Sequence, residues 1–363
     1  MRIAILWTGL SGYLNACLKE LAGHEAVELF VSHMVPNEDA PFDDKQFSWI
    51  TNRLQWRSGA NLVELETRLQ TFHPDILLFA GWAVPEYRHM ARILAKQCWR
   101  VMSMDNCWLA SPKQWVGRLI SRYYLLPLAD AVWLPGERQA TFARKLGFEQ
   151  AAILRGLYSC DQPSIERVHL SRVNAGWSVQ RSFLFVGRLV LDKGVDTLVT
   201  AYQAYRNSTV DPWPLVCCGE GPLRHLLEGR PGISVEGFVQ PDLLASKLAA
   251  AGCLILPSGF EPWGIVIHEA ASAGLLIIAS ENVGAAVHMV QDNFNGFIFD
   301  DRDATSLAGL MKRISTMSEV RLDAMSKASH LLSKQFSPAR WADTLIETFY
   351  SLPQISALAE YAL

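Results

Sequence analysis

Short apolar runs bounded by turn residues recur along the whole chain, at 3–7, 27–31, 76–79, 101–104 and 131–134. They resume at 183–186, 215–218, 233–235, 253–256 and 275–279. Between them lie segments such as 13–21 and 198–205, with apolar residues three and four positions apart. Buried strands alternating with amphipathic helices predict β-α-β units and parallel sheets, so the fold class is α/β. The series breaks at 161–181, a polar stretch containing Pro, Gly and Asn with neither strand nor strong helix period, which reads as a linker between two similar halves. The expected organisation is a first domain over 1–165, a second over 166–335 and a final segment over 336–363. That last segment opens with Phe336-Ser337-Pro338 and continues as an amphipathic helix carrying Trp341, Leu345, Ile346, Phe349 and Tyr350, a face that must be buried somewhere.

Composition supports two cores rather than one: 363 residues exceed the size at which a single core stops growing. Half of the residues are hydrophobic and 19% are charged, which is ordinary for a folded protein. The formal net charge of −3, without any long Lys/Arg run, argues against a nucleic-acid partner and leaves local anion sites as the alternative. Seven scattered cysteines with no C-x-x-C pair fit reduced thiols in a cytoplasmic setting. The opening MRIAILW has too short an apolar run for a signal core and reads as the first strand. No run approaches the ~18 apolar residues that span a bilayer.

The chemistry is concentrated in the second half. After the run 183–186 come Gly187, Arg188 and, five residues on, Lys193. Cations just past the carboxyl end of a parallel strand lie where such sheets bind ligands, and an Arg fork with a Lys point charge suits a diphosphate. Two solvated loop cations are an equally good reading of this motif alone. Cys218-Gly219-Glu220-Gly221-Pro222 is a second strand end with a Gly-rich turn, followed by a helix around 223–227, and Gly237-Phe238 sets an aromatic side chain at a third. In Gly259-Phe260-Glu261-Pro262-Trp263-Gly264-Ile265-Val266-Ile267-His268-Glu269-Ala270 a turn leads into a helix over 264–273. The N–H groups of that helix start favour an anion. Glu261, in the turn, repels phosphate and suits the neutral hydroxyls of a sugar. Glu269 lies about 7.5 Å further along the axis from Gly264 and suits a second diol such as a ribose.

Taken in order, FVGRLVLDKG, CGEGP, VEGF and GFEPWGIVIHEA resemble family 4 of the retaining, sugar-nucleotide-dependent glycosyltransferases, most strongly over 183–300. The resemblance implies the GT-B architecture: two Rossmann-like parallel-sheet domains facing each other across a deep cleft, the terminal helix crossing back to the first. It implies that Glu261 contacts the donor sugar, Glu269 the ribose, and Arg188 and Lys193 the diphosphate. Backbone amides from Trp263, Gly264 and Ile265 complete that site, and Gly12, in the loop after the first strand, lies near the diphosphate. The donor is then a nucleotide-diphosphate sugar, used as co-substrate with no cofactor, and the acceptor a glycan, lipid-linked or small molecule, as in polysaccharide or glycoconjugate synthesis.

The first half matches less well, as suits an acceptor-binding domain. Where relatives have a His after the strand at 101–104, this chain has Met104-Asp105-Asn106, so Asp105 is the candidate to bind the acceptor or take its proton. Trp82 and Trp108, at strand ends, are the two tryptophans suited to stack on a sugar; core packing accounts for most of the others. Asp301-Arg302-Asp303 mimics a metal motif but precedes a helical stretch, so Asp303 is expected to be an N-cap and the enzyme metal-independent. Segment 115–127 carries an aromatic and aliphatic stripe beside Arg118 and Arg122. Ordinary core packing is its first reading, and peripheral contact with the inner face of a membrane the second. An oxidoreductase is disfavoured because Thr8-Gly9-Leu10-Ser11-Gly12 lacks the G-x-G-x-x-G fingerprint. A sugar-nucleotide epimerase or hydrolase, or a non-catalytic binder, on the same architecture is the alternative.

Overall fold

A computed structural model describes residues 1–35, 43–57, 62–174 and 179–352. Positions 175–178 of the expected linker and 353–363 of the final segment lie outside the described residues. The chain divides into two compact units, one formed by Met1–Ser159 with Phe336–Leu363, the other by Cys160–Gln335.

The first unit contains β1 (Arg2–Trp7), α1 (Gly12–Ala22), β2 (Glu28–Met34), β3 (Arg53–Trp56), α2 (Leu62–Phe72), β4 (Ile76–Ala80), α3 (Pro85–Ile93) and β5 (Trp99–Ser103). It continues through α4 (Pro112–Tyr124), β6 (Ala131–Leu134), α5 (Glu137–Leu146) and β7 (Ile153–Arg155). The second contains α6 (Gln162–Asn174), β8 (Phe183–Val186), α7 (Val195–Asn207), β9 (Leu215–Cys218), β10 (Ile233–Gly237), α8 (Pro241–Ala249), β11 (Cys253–Leu256) and α9 (Ile265–Ser272). After these come β12 (Leu276–Ser280), α10 (Ala286–Met289), β13 (Gly296–Phe299), α11 (Ala304–Ser315) and α12 (Glu319–Ser333), and α13 (Pro338–Tyr350) returns to the first unit.

Each unit is a parallel, doubly wound, Rossmann-like sheet: seven strands ordered β3-β2-β1-β4-β5-β6-β7 in one, six ordered β10-β9-β8-β11-β12-β13 in the other. Alternation along β1 shows why its run is unbroken. Ala4 and Leu6 join one buried cluster and Ile3, Ile5 and Trp7 another, so both faces are covered. In each sheet the order reverses between the first strand of the unit and the fourth, β1 beside β4 and β8 beside β11, which places the topological switch points there.

Ten strands fall where the apolar runs predict them; β3, β7 and β13 are additional. The stretch read as a linker is helical over α6, where Asp161 caps the start through Ser164 N–H at 3.3 Å and Ile165 and His169, one turn apart, are buried. The helix expected around 223–227 is only a 3-10 turn, Arg224–Leu226. Asp303 caps α11 by accepting from Ser306 N–H at 2.9 Å. The stripe on α4 is not packed into a core: Ser121 alone on that helix is buried, and Trp115, Leu119 and Tyr123 are exposed. No described helix is long and apolar enough to cross a membrane.

Helix α13 starts with Ser337 accepting from Arg340 N–H at 3.1 Å and Pro338 in its first turn, where no N–H is needed. It packs on α1 and buries Trp341, Ala342 and Leu345, while Tyr350 stays exposed. Trp341 stacks on Trp133 with centroids 4.7 Å apart and donates its indole N–H to Leu157 O at 2.7 Å. Replacing Trp341 by Ala should destabilise the first unit by about 3–5 kcal/mol. Urea unfolding followed by tryptophan emission, which reports mainly on that unit, measures the loss.

Candidate functional site

The second unit builds its site at its switch point. Beyond β8, Gly187 and Arg188 lead into a 3-10 turn, Leu191–Lys193, closed by Gly194 in the left-handed conformation (φ 68°). Beyond β11, a turn ends at Gly264 (φ 88°), the N-cap of α9, whose first-turn N–H groups receive no side-chain cap. The two loops touch through their backbones. A Cβ on Gly194 would lie 2.0 Å from Pro257 O, and Phe260 N–H donates to Asp192 O at 3.3 Å. Here glycine is required twice over, by its φ and by the missing space.

This contact brings Lys193 and Glu261 together as a mostly buried ion pair, their side chains only 15% and 14% exposed. The turn holding Glu261 is locked from its other side: its carbonyl accepts from Gly284 N–H at 3.0 Å and that of Trp263 from Ala285 N–H at 2.8 Å. Trp263 itself is buried against His288, ring centroids 5.6 Å apart, so it offers a ligand its backbone. Arg188 is exposed on the loop after β8, and Phe238 is half-buried after β10. The Gly-rich turn after β9 is a packing element. A Cβ on Gly219 would sit 1.9 Å from Gly187 O, and Leu189 N–H donates to Glu220 O at 2.7 Å. The exposed carboxylate of Glu220 pairs with Arg224 at 2.6 Å.

Glu269 is half-buried on α9, and crowding by protein, aided by the charge of Asp161, pushes its carboxyl up to about 7. Its neighbour His268 is fully buried. The His268 Nδ1 accepts from Cys160 N–H at 3.1 Å and its Nε2 faces Ser333 O at 3.1 Å, which fixes the proton on Nε2 and ties α9 to both ends of the unit. Sequence reading passed over this residue because an apolar helical stretch gives no sign of its partners.

In the first unit a cavity of about 790 Å³ opens at the β1/β4 switch point, lined by the loop Thr8–Ser11, by Trp82, Asp105 and Asn106, and by Tyr158. Gly12 is the first residue of α1, behind Ser11, which caps the helix by accepting from Leu14 N–H at 3.4 Å. Trp108 lies outside this lining, packed against Phe142 and Trp115 with Lys145 Nζ 5.0 Å over its ring. Tyr158, which the motif reading did not single out, donates its hydroxyl to Asp105 Oδ2 at 3.2 Å. Burial drives the Tyr158 phenol well above its usual range, so it remains a donor and aims the carboxylate. Among the described residues no group of His, Cys, Asp and Glu is placed to hold a metal.

Two Rossmann-like parallel sheets with polar loops gathered at their switch points make up the fold known as GT-B. The solved structure of Anabaena HepE in complex with UDP and glucose has this fold. It matches with a TM-score of 0.69 at 17% identity, covering 97% of this chain and all (100%) of that one. Residues 174–330, most of the second unit, match the family described as glycosyl transferases group 1. Among curated relatives, the D-inositol 3-phosphate glycosyltransferase of Salinispora arenicola is 27% identical over 96% of this chain and 75% of its own length. An uncharacterized glycosyltransferase of Methanocaldococcus jannaschii is 29% identical over 41% of this chain, and the match spans only 39% of that relative.

The raised carboxyl of Glu269 has a measurable consequence. Folding holds it neutral to about pH 7 whereas its ordinary value is 4.5. The folded chain therefore binds the extra proton between those values, and stability falls as pH rises through that window. Glu269→Gln should gain in melting temperature relative to the parent between about pH 5 and about pH 8. Thermal unfolding at both pH values checks it; an unchanged difference contradicts the shift.

Proposed function

We propose that this chain is a retaining, metal-independent glycosyltransferase that moves a sugar from a nucleotide-diphosphate donor to an acceptor, in polysaccharide or glycoconjugate synthesis on the cytoplasmic side. The observation that carries this reading is the Lys193–Glu261 pair beside the uncapped start of α9. The two charges satisfy each other. A donor diphosphate gives Lys193, Arg188 and the α9 amides an anion to hold, which releases Glu261 to accept hydrogen bonds from sugar hydroxyls. The leaving diphosphate is then neutralised by two cations and a helix dipole, without a metal. Glu269, in the second turn of the helix, takes the ribose diol, and Phe238 the edge of the base. In the first unit Asp105, aimed by Tyr158, receives the acceptor hydroxyl, with Trp82 as the stacking face and Asn106 beside it. Seven scattered cysteines without a C-x-x-C pair fit a reducing compartment.

A panel of nucleotide sugars read by thermal shift identifies the donor, since a ligand at ~100 times its dissociation constant adds about 2.7 kcal/mol. With that donor, Arg188→Ala and Lys193→Ala should each lose on the order of 10²–10³ in turnover. Glu261→Gln should lose transfer while keeping nucleotide binding. Near-normal turnover in both cation variants, measured by nucleotide release, rejects the donor site. Equal release with and without acceptor marks a hydrolase instead, and the anomeric proton of the product, seen by NMR, tests retention.

A further inference from the structure

Helix α4 is built to touch something other than its own unit. Its one buried residue, Ser121, donates to Leu146 O and pins that side of the helix to the end of α5. At about 100° per residue, Trp115, Leu119, Tyr123, Val116, Ile120 and Tyr124 fan over roughly 180° on the other side. Leu119 is 77% exposed and Tyr123 80%. Exposed apolar area this concentrated marks a contact surface.

Its charge says what that contact is. From 106 to 129 the chain has Lys113, Arg118 and Arg122 and no Asp or Glu. By helix spacing Arg118 and Arg122 border the apolar arc on one edge and Lys113 on the other. Arg118 also lies 5.5 Å from the Trp115 ring and Arg88, from α3, 5.6 Å from that of Tyr124. A second copy placed face to face on this arc sets cations against cations. An apolar arc bordered only by cations, with Trp and Tyr at the boundary, matches the headgroup level of an anionic bilayer.

The arc is also joined to the cavity of the same unit. Trp115 packs on Trp108 (5.1 Å), Trp108 on Phe142 (5.6 Å), and Phe142 on Trp82 (6.5 Å), which lines the cavity with Asp105. We propose that α4 seats this protein on an anionic membrane surface, and that the acceptor is an amphiphile whose polar head enters this cavity while its chains stay in that surface. The acceptor half rests on the transferase reading above; the docking half does not.

Flotation of the full chain separates the two. Wild type should rise with phosphatidylcholine vesicles containing about one third phosphatidylglycerol, and stay down with phosphatidylcholine alone. The double variant Arg118→Ala/Arg122→Ala should partition about 25-fold less, near fivefold per cation. Leu119→Ser/Tyr123→Ser should partition at least about tenfold less. Both pairs are exposed, so each variant should keep the parental thermal transition. Wild type that stays down with both vesicles, variants that float like wild type, or lipid-free wild-type dimers dispersed by the Leu119/Tyr123 pair overturns the docking. For the acceptor, radiolabelled donor is offered with the total lipid extract or the aqueous extract of the source cells. Label in the lipid phase is expected, and label only in water-soluble product overturns the acceptor half. Label in neither, with flotation intact, rejects the transferase reading and leaves the docking standing.

Discussion

The second unit's site depends on loops that meet backbone to backbone. Gly194 lies on Pro257, Gly219 on Gly187, and Gly284 on Pro262, each at a distance where a Cβ would come within about 2 Å of a carbonyl oxygen. These contacts hold the loops after β8, β9, β11 and β12 as one rim. Lys193 and Glu261 are 68 positions apart in sequence, yet the meeting of their loops brings them together as a mostly buried pair. Charges fixed before a ligand arrives need little reorganisation when it comes, and this makes a preorganised polar site effective.

The two units solve the same topological problem with different chemistry. Both open a site at the switch point of a parallel sheet, but the second lines it with cations, a carboxylate and a helix start, the first with aromatics, several hydroxyls and one aimed carboxylate. A charged rim suits a ligand of fixed anionic character. A cavity of mixed lining suits a partner recognised by shape and hydroxyl placement.

The architecture was legible because strands buried on both faces need uninterrupted apolar runs. Strand β3 escaped notice since Arg53 and Gln55 interrupt its apolar residues at a sheet edge, β7 since it has three residues, and β13 since a glycine opens it. Helix α6 looked like linker because its buried residues include Gln162, which bonds Glu166 one turn along, and His169, whose ring stacks on the distant His330 with centroids 3.9 Å apart. At the site, spacing along one element was readable, as with Glu261, Gly264 and Glu269. Pairing between elements was not: neither Lys193 with Glu261 nor Tyr158 with Asp105 has a local signal. The α4 stripe had the period of a core helix, and only the fold shows that its apolar side faces away from the sheet.

The tie through His268 also bears on how the chain is made. Because one imidazole holds both Cys160 and Ser333, the second unit is a closed insertion whose ends lie side by side. Everything it needs has been synthesised once residue 335 emerges. The first unit, begun earlier, still lacks Trp341 and Leu345 for its core at that point. The half written first is thus completed last, by α13.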